Sequence, residues 1–280
     1  MTMPDIPIFC NLQAFRQMRN ACSHISSPDA ITEAAVAISN HINSVSVNWL
    51  EIDQCLQKSA DAIRARVRGR QPQALIAHLH EYLFEELGLK KDEDFQTRPQ
   101  AHLLPHVLQT KRGSPVALSL VYAVVGRKLG LDVQGINFPW HFLCSLKYDR
   151  KLMFVNPADS GSVLTVAELK DAFEKIGQGE LEWNPDILNP ANNRLWLTRM
   201  LQNLLNLYGS QGAFEQVAAM LEFEILLWPG AHSLWRDLAL ILARLGNNAK
   251  AAPILAAYLQ ENPNDTTREE LQRLLQILRM

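Results

Sequence analysis

At 280 residues the chain is long enough for one large domain or two modest ones. Hydrophobic residues make up 48% of it and charged residues 20%, which is an ordinary globular composition. The formal net charge of −2 gives no electrostatic reason to expect DNA, RNA or an anionic membrane as the main partner.

The amino-terminal sequence and the cysteines favour a cytoplasmic protein. The first residues lack a basic start followed by an apolar run, so no secretory signal is expected. No apolar segment approaches the roughly 18 residues that span a bilayer. The spacings of Cys10, Cys22, Cys55 and Cys144 match no zinc or redox motif. We therefore expect reduced thiols, no metal, no cofactor and no membrane association.

Residues 28–90 carry helical patterns. The sequence Ser-Pro-Asp at 27–29 is typical of a helix start. A second run of helical spacing extends from Val47 to Arg68 and ends at Gly69. Pro72 opens a third helix with Gly88 near its end, where Lys90 and Lys91 suit a helix terminus. Leucines four residues apart predict one apolar face on this helix: Leu75, Leu79, Leu83 and Leu87.

The segment that follows predicts a helix and then a small sheet. Ser114 is a favoured N-cap, Pro115 is allowed at the first helical position, and Gly130 closes the helix after Leu129. The runs VQGINF, HFLCSLKY and KLMFVNP predict antiparallel strands, with a turn at 148–150. A helix near Val166–Ile176 and a linker at 177–190, rich in Gly, Pro and Asn, come next.

From Asn192 onward the pattern is helix after helix, with an internal repeat. Three pairs of identical residues are 34 positions apart: Gly212 and Gly246, Leu221 and Leu255, and Pro229 and Pro263. A helix-pair repeat of this length, closed by proline, resembles the tetratricopeptide repeat.

The motifs KRGSPVALS, FPWHF and VNP resemble the core of the transglutaminase-like (papain-like cysteine) superfamily. There a cysteine starts the helix, where the helix dipole favours its thiolate, a histidine lies on the next strand and an aspartate on the strand after it. The match places Pro115 on the cysteine, His141 on the histidine and Asn156 on the aspartate. Proline has no nucleophilic side chain, so the resemblance implies the frame of an acyl-transfer site without its nucleophile.

One bacterial branch of that superfamily, sometimes labelled Sir-B-type and carrying tetratricopeptide-like tails, is more similar still. Its pattern resembles R-x-G-x-P-x-x-L-S, G-x-x-F-P-G-H-F and D-P-x-x-G-G, against KRGSPVALS, GINFPWHF and NPADSG here. The resemblance covers roughly residues 70–270 and makes the proline a trait of the branch. This chain departs from it at Trp140, in place of a glycine, and at Asn156, in place of the acid. The branch's labels imply a regulatory role, and a related module in a ubiquitin-ligase subunit implies protein contacts.

Each candidate site residue has a structural and a functional interpretation. Ser114 is a helix cap or a replacement nucleophile that His141 activates. His141 is a hydrogen-bonded residue at a strand start or part of a binding site. Asn156 forms a turn before proline or orients the imidazole, and Asp159 is a possible substitute acid. Ser119 is expected to be packed inside its helix.

Other candidates carry weaker signals. Strand alternation predicts that Cys144 points away from His141, which disfavours it as a nucleophile. His102 and His106 have the spacing of metal ligands on a helix, but Pro105 between them disfavours helix, and a helix would splay His78 and His80 apart. Two further groups are ambiguous. The arginines at 64, 66, 68 and 70 mark a solvated helix end or a site for an acidic partner. The tryptophans at 196, 228 and 235 form core or a peptide groove.

Together these patterns predict an α+β protein that is mostly helical. The expected parts are an N-terminal helical section (1–70), a transglutaminase-like core with a small antiparallel sheet (71–180) and a tetratricopeptide-like helical domain (191–280). The leading hypothesis is a non-catalytic protein that binds a protein or peptide through the cleft around Pro115, His141 and Asn156, through the helical tail, or through both. The alternative is an acyl-transfer or amide-hydrolysing enzyme that uses Ser114, His141 and Asn156.

Overall fold

The computed structural model describes residues 6–43, 46–69, 71–149, 151–177 and 182–280. These residues form two compact units. The larger unit is Ile25–Met200, and the smaller joins the described residues up to His24 with Leu201–Met280. The division predicted from the sequence, into residues 1–70, 71–180 and 191–280, stays a prediction.

The larger unit is mostly helical and surrounds one buried helix, α6. Its helices are α2 (Ala30–Ile42), α3 (Trp49–Arg64), α4 (Pro72–His80), α5 (Leu104–Thr110), α6 (Pro115–Lys128), α7 (Val166–Ile176) and the start of α8 (Asn193–Ser210). Helix α6 is buried without interruption from Val116 to Gly126. Its sequence is almost wholly apolar over this stretch, as expected of a helix inside a domain.

Five strands form an antiparallel sheet beside α6, which confirms the predicted sheet and extends it by two strands. The strands are β3 (Asp132–Ile136), β4 (Leu143–Tyr148), β5 (Lys151–Asn156), β6 (Ser162–Leu164) and β7 (Pro190–Ala191). Their order across the sheet is β6-β5-β4-β3-β7. The linker predicted at 177–190 thus ends in a strand, after a short 3-10 helix at Pro185–Leu188.

The register of the sheet places a helix on each of its faces. Cys144 pairs with Gly135 on one side and Val155 on the other, so these three residues share a face. That face meets α6, where Cys144 Sγ lies 3.5 Å from the carbonyl oxygen of Ser119. The opposite face carries an apolar cluster closed by α7: Ile136, Phe138, Leu143, Phe154, Leu169 and Phe173.

The helix that starts at Pro72 changes its winding before it ends. Leu75, Leu79 and Leu83 are buried, whereas Leu87 is only partly buried. Residues Glu81–Glu86 form a π-helical turn, so the Leu87 N–H bonds five residues back to Tyr82 at 2.9 Å. The wider turn rotates Leu87 off the leucine face, and the prediction of four aligned leucines was therefore wrong at its last member.

Lys90 and Lys91 do not end a helix as predicted. They form the short strand β1 (Lys90–Lys91), which pairs in parallel with β2 (Arg112–Gly113) immediately before α6. The pairing holds this chain segment beside the start of α6. Arg70, Arg150 and residues 178–181, which took part in the predicted basic run, turn and linker, lie outside the described residues.

The smaller unit contains the predicted repeat. Its helices are α1 (Leu12–Ser23), the remainder of α8, α9 (Phe214–Leu227), α10 (His232–Arg244), α11 (Asn248–Glu261) and α12 (Arg268–Leu278). Helices α9 and α11 are offset by 34 residues at both ends. Gly212 and Gly246 precede them in left-handed conformations, with φ of 69° and 73°. The equivalent glycines therefore mark equivalent turns.

Candidate functional site

The residue matched to the family's cysteine is the first residue of α6. Pro115 occupies the N1 position, and Ser114 before it has extended N-cap dihedrals. The Ser114 N–H donates to the carbonyl of Ala101 at 2.7 Å. Its hydroxyl makes no capping hydrogen bond; the oxygen is buried and has no partner within the described part of the chain. Ser114 is thus an N-cap by position but not by side-chain chemistry.

His141 lies in the loop before β4, not in the strand. Its N–H donates to Phe138 at 3.1 Å, and across the described ranges no hydrogen bond to its ring is found. Burial lowers the pKa of His141, and the positive charges of Arg199 and Lys91 lower it further. The ring is therefore neutral at pH 7 and lies near two cations.

Asn156 ends β5 and is used locally. Its side-chain oxygen accepts from the Ala158 N–H at 3.2 Å, which starts a 3-10 helix at Pro157–Asp159. Asp159 is exposed at the end of that helix. No hydrogen bond among the described residues joins His141 to Asn156, to Asp159 or to Ser114.

Cys144 and Ser119 are packed between the sheet and α6. Burial raises the pKa of the Cys144 thiol to about 12, so it is protonated at neutral pH. The Ser119 hydroxyl is also buried and donates to the carbonyl of Phe142 at 3.0 Å. The alternation argument placed His141 on β4; since β4 starts at Leu143, that argument does not apply, and burial is what makes Cys144 unreactive.

The remaining histidine candidates are in separate local contacts. His102 Nε2–H donates to Phe95 at 2.9 Å, and His106 belongs to a different helix, α5. His78 pairs with Glu81, and His80 bonds the Tyr122 hydroxyl at 2.8 Å. No group of three or more His, Cys, Asp or Glu side chains that could hold a metal ion occurs in the part of the chain that the structure describes.

The arginine run and the tryptophans divide between exposed and buried positions. Arg66 forms an ion pair with Glu86. Arg64 pairs with Asp61, with 3.5 Å between Nη1 and Oδ1. Trp196 belongs to the core of the larger unit, where its ring centroid is 4.7 Å from that of Phe142. In the smaller unit Trp235 is buried and donates to Pro229, while Trp228 is partly buried.

The backbone at Trp140 explains why the branch motif has a glycine there, and Ser160 adopts the same conformation. Both have left-handed dihedrals, with φ of 60° for Trp140 and 48° for Ser160. Glycine reaches this region without a steric penalty, whereas a bulky aromatic residue rarely adopts it. Trp140 is also 49% exposed, directly beside His141.

Lys91 and Arg199, whose charges lower the pKa of His141, were not identified as candidate site residues in the sequence. They are far apart in the chain, belong to no recognised motif and approach His141 only through tertiary packing.

None of the described helices has the length and apolarity needed to span a bilayer.

Comparison with known proteins gives two family matches. The transglutaminase-like superfamily matches residues 51–202, and the tetratricopeptide repeat matches residues 204–276. A UPF0162 protein of Xylella fastidiosa is 30% identical over 219 residues, covering 76% of this chain and 77% of that protein. A UPF0162 protein of Pseudomonas aeruginosa is 28% identical over 72% of this chain and 73% of its own length.

A more distant similarity extends to eukaryotes. Mouse F-box only protein 21 is 30% identical over 153 residues, which cover 51% of this chain and 23% of that protein. No solved structure matches the chain.

Proposed function

We propose that the chain is a non-catalytic protein that binds a protein or peptide. The premise is that it belongs to the transglutaminase-like superfamily. Binding would use the cleft at the start of α6, the tetratricopeptide helices, or both. We place this role in the cytoplasm and expect no nucleic acid, since the net charge is −2.

The observation that carries the proposal is Pro115 at the first position of α6. A nucleophile at this point would gain from the helix dipole and the free amides of the first turn. Proline provides neither a thiol nor a hydroxyl, and it also lacks the N–H that would help to hold an oxyanion.

Three observations favour this proposal over the acyl-transfer alternative. The Ser114 hydroxyl is buried and is not bonded to the His141 ring, so it has no base. The oxygen of Asn156 is engaged by the Ala158 N–H. The Cys144 thiol is buried with a raised pKa.

The tetratricopeptide match supports a role in binding. Repeats of this kind stack helix pairs into surfaces that take up partner segments. A preserved acyl-transfer frame without a nucleophile, followed by such repeats, suits a module that holds a partner.

The test is turnover by the purified full-length protein on a panel of amide, ester and amine-acceptor substrates. We expect no turnover above that of a mock purification. Turnover that is present in the wild type and lost in His141→Ala, with the variant still folded by circular dichroism, would contradict the proposal.

A further inference from the structure

A groove of about 220 Å³ lies in the larger unit between helix α4 and the strands β4, β5 and β6. We call it the α4 groove. Seven residues line it: Gln73, Ile76, Ala77, His80, Tyr148, Met153 and Val163. None of them belongs to the motifs around Pro115, His141 and Asn156.

The sheet forms one wall of the α4 groove. Val163 of β6 pairs with Val155, which shares a face of the sheet with Cys144. Met153 is two residues before Val155 and therefore lies on the same face. Helix α6 packs on this face over the inner strands β3 and β4. The outer strands are left to α4, and Val163 stays 53% exposed.

Helix α4 forms the opposite wall. Its groove residues have the spacing i, i+3, i+4 and i+7, which places them on one face of the helix. Ile76 in the middle of this face is buried, whereas Ala77 beside it is exposed. Because Ala77 has only a methyl group, it leaves room that a larger side chain at this position would fill.

His80 is the polar residue at one end of the helix wall. Its Nε2 lies 2.8 Å from the hydroxyl oxygen of Tyr122. Tyr122 is fully buried, and within the described ranges this ring is the one hydrogen-bond partner of its hydroxyl. Since a buried hydroxyl proton needs an acceptor, Tyr122 donates to Nε2. The neutral imidazole then carries its own proton on Nδ1.

The Nδ1–H of His80 is a fixed donor that the protein does not use. In the described part of the chain Nδ1 has no hydrogen-bond partner, and it is not among the fully enclosed polar atoms. Edge-to-face contacts hold the ring, with centroids 5.6 Å from Phe84 and 5.5 Å from Tyr122. Burial lowers the pKa of His80, so the ring is neutral at pH 7.

The α4 groove favours an uncharged ligand. None of its seven side chains carries a charge at neutral pH. The amide of Gln73, two helical turns from His80, donates to Asp149 at 2.6 Å. A carboxylate in the groove would lose its hydration without meeting a cation, whereas a carbonyl group needs only the one donor.

The volume of the groove sets the size of the ligand. An apolar cavity of about 150 Å³ is large enough to bind benzene. At about 220 Å³ the α4 groove has room for one ring with a small substituent. Apolar walls with a single placed donor are typical of a site for a small molecule.

We propose that the α4 groove binds an uncharged small molecule with a ring-sized apolar body and one carbonyl group. The ring lies between α4 and the side chains of Met153 and Val163, and the carbonyl oxygen accepts from His80 Nδ1–H. Tyr122 is a positioning residue, because its hydroxyl fixes the tautomer of His80. This site is separate from the proposed protein-binding function and does not depend on it.

The experiment uses the methyl group of Met153 as a reporter inside the groove. The full-length protein, which has seven methionines, is labelled with methyl-13C methionine, and Met153→Leu identifies the Met153 signal. The probes are acetophenone, ethylbenzene and benzoate. At about 1 mM we expect acetophenone to half-saturate a shift of this signal, whereas ethylbenzene and benzoate bind about tenfold more weakly.

Two substitutions of His80 test the donor. His80→Leu removes it, so acetophenone is expected to lose its tenfold advantage over ethylbenzene. In His80→Gln the side-chain carbonyl accepts from Tyr122 and the amide supplies a donor, so a preference of about threefold or more remains.

A substitution that fills the groove tests its location even if His80→Leu does not fold. Ala77→Leu is exposed and suits a helix, so the fold is retained while binding of acetophenone weakens by more than about tenfold. Ala249→Leu is the matched control, an exposed helical alanine of the smaller unit, and leaves binding unchanged.

Four results would overturn the inference. They are no shift of the Met153 signal with acetophenone, equal affinity for acetophenone and ethylbenzene, tighter binding of benzoate than of acetophenone, and unchanged binding by Ala77→Leu. Each leaves the proposed function standing, because that function is tested by turnover and does not involve this groove.

Discussion

At the scale of single residues, Trp140 has a strained, left-handed backbone directly before His141. A left-handed backbone is strained for residues other than glycine, and the branch motif has glycine at the position of Trp140. The contact of the Trp140 ring with Phe173 offsets part of the cost of this strained backbone.

This strain predicts an inverted order of stability for two substitutions. Trp140→Ala loses the ring contact and keeps the strain, whereas Trp140→Gly loses both. The glycine variant is therefore expected to be more stable than the alanine variant by about 1 kcal/mol, the reverse of the usual order. Urea unfolding of both variants measures the difference, and an alanine variant more stable than the glycine variant would refute the strained backbone.

Gly135 on β3 is required by the approach of a tryptophan. A Cβ placed there would lie 2.3 Å and 2.5 Å from two ring atoms of Trp196, and 2.9 Å from Phe142. Both rings are fully buried, so neither can move aside without leaving the core.

We expect Gly135→Ala to destabilise the fold by more than about 2 kcal/mol because it overpacks the core. Gly209→Ala is the matched control, since its Cβ would meet nothing within 4 Å. Thermal unfolding should show a lowered Tm for the first and an unchanged or raised Tm for the second. Equal Tm values for the two variants would mean that the packing around Trp196 is not as described.

His102 predicts a pH dependence of stability. Burial lowers its pKa from 6.5 in the unfolded chain to about 4. The unfolded chain binds this proton below pH 6.5, and the native state binds it only near pH 4. The contribution of neutral, buried His102 to the free energy of unfolding is therefore complete above pH 6.5. It is lost as the pH falls to 4, by about 3 kcal/mol in total.

His102→Gln retains a donor for Phe95 and removes the titration. Between pH 6.5 and 4, the variant is expected to lose about 3 kcal/mol less unfolding free energy than the wild type. The comparison is made between the two proteins because the pKa values of His41, His80, His106 and His141 are also lowered. Parallel stability curves would contradict the burial of a neutral His102.

At the scale of elements, short-range sequence patterns predicted most of the helices and strands that depend on neighbouring residues. Helix α6, the strands β3 to β5 and the repeat follow from capping, alternation and periodicity, and the structure confirms them. The π-helical turn at Glu81–Glu86 and the pairing of Lys90 with Arg112 were missed. Both depend on tertiary contacts that leave no local signal.

The segment before α1 is another element that the sequence did not reveal. Glu222 of α9 is fully buried, and its carboxylate accepts the backbone N–H groups of Ile8, Phe9 and Cys10. A carboxylate that accepts several amides in this way fixes the segment in place.

Replacing this carboxylate by an amide turns one acceptor into a donor facing other donors. Glu222→Gln is therefore expected to cost about 2–4 kcal/mol of unfolding free energy and to make the segment before α1 sensitive to protease. Glu215→Gln, on the exposed first turn of the same helix, is the control. Equal protease resistance of the two variants would contradict the anchoring role.

At the scale of the whole molecule, linear motifs could identify Pro115, His141 and Asn156, because each lies in a short motif beside a helix or strand end. The same motifs could not show that Asn156 is used by its own turn or that the Ser114 hydroxyl is buried. They also could not show that the charges of Arg199 and Lys91 act on the His141 ring, since this depends on the folded chain. The proposed non-catalytic role depends on Pro115 at the first position of α6.

The most direct measurement of that claim is covalent labelling of the native full-length protein, read by peptide mass spectrometry. The reagents are a fluorophosphonate for activated serine and iodoacetamide for thiolate. The account predicts no adduct on Ser114 or Cys144, while the exposed Cys55 is alkylated as the internal control. An adduct on Ser114 or Cys144 that disappears in His141→Ala would contradict it.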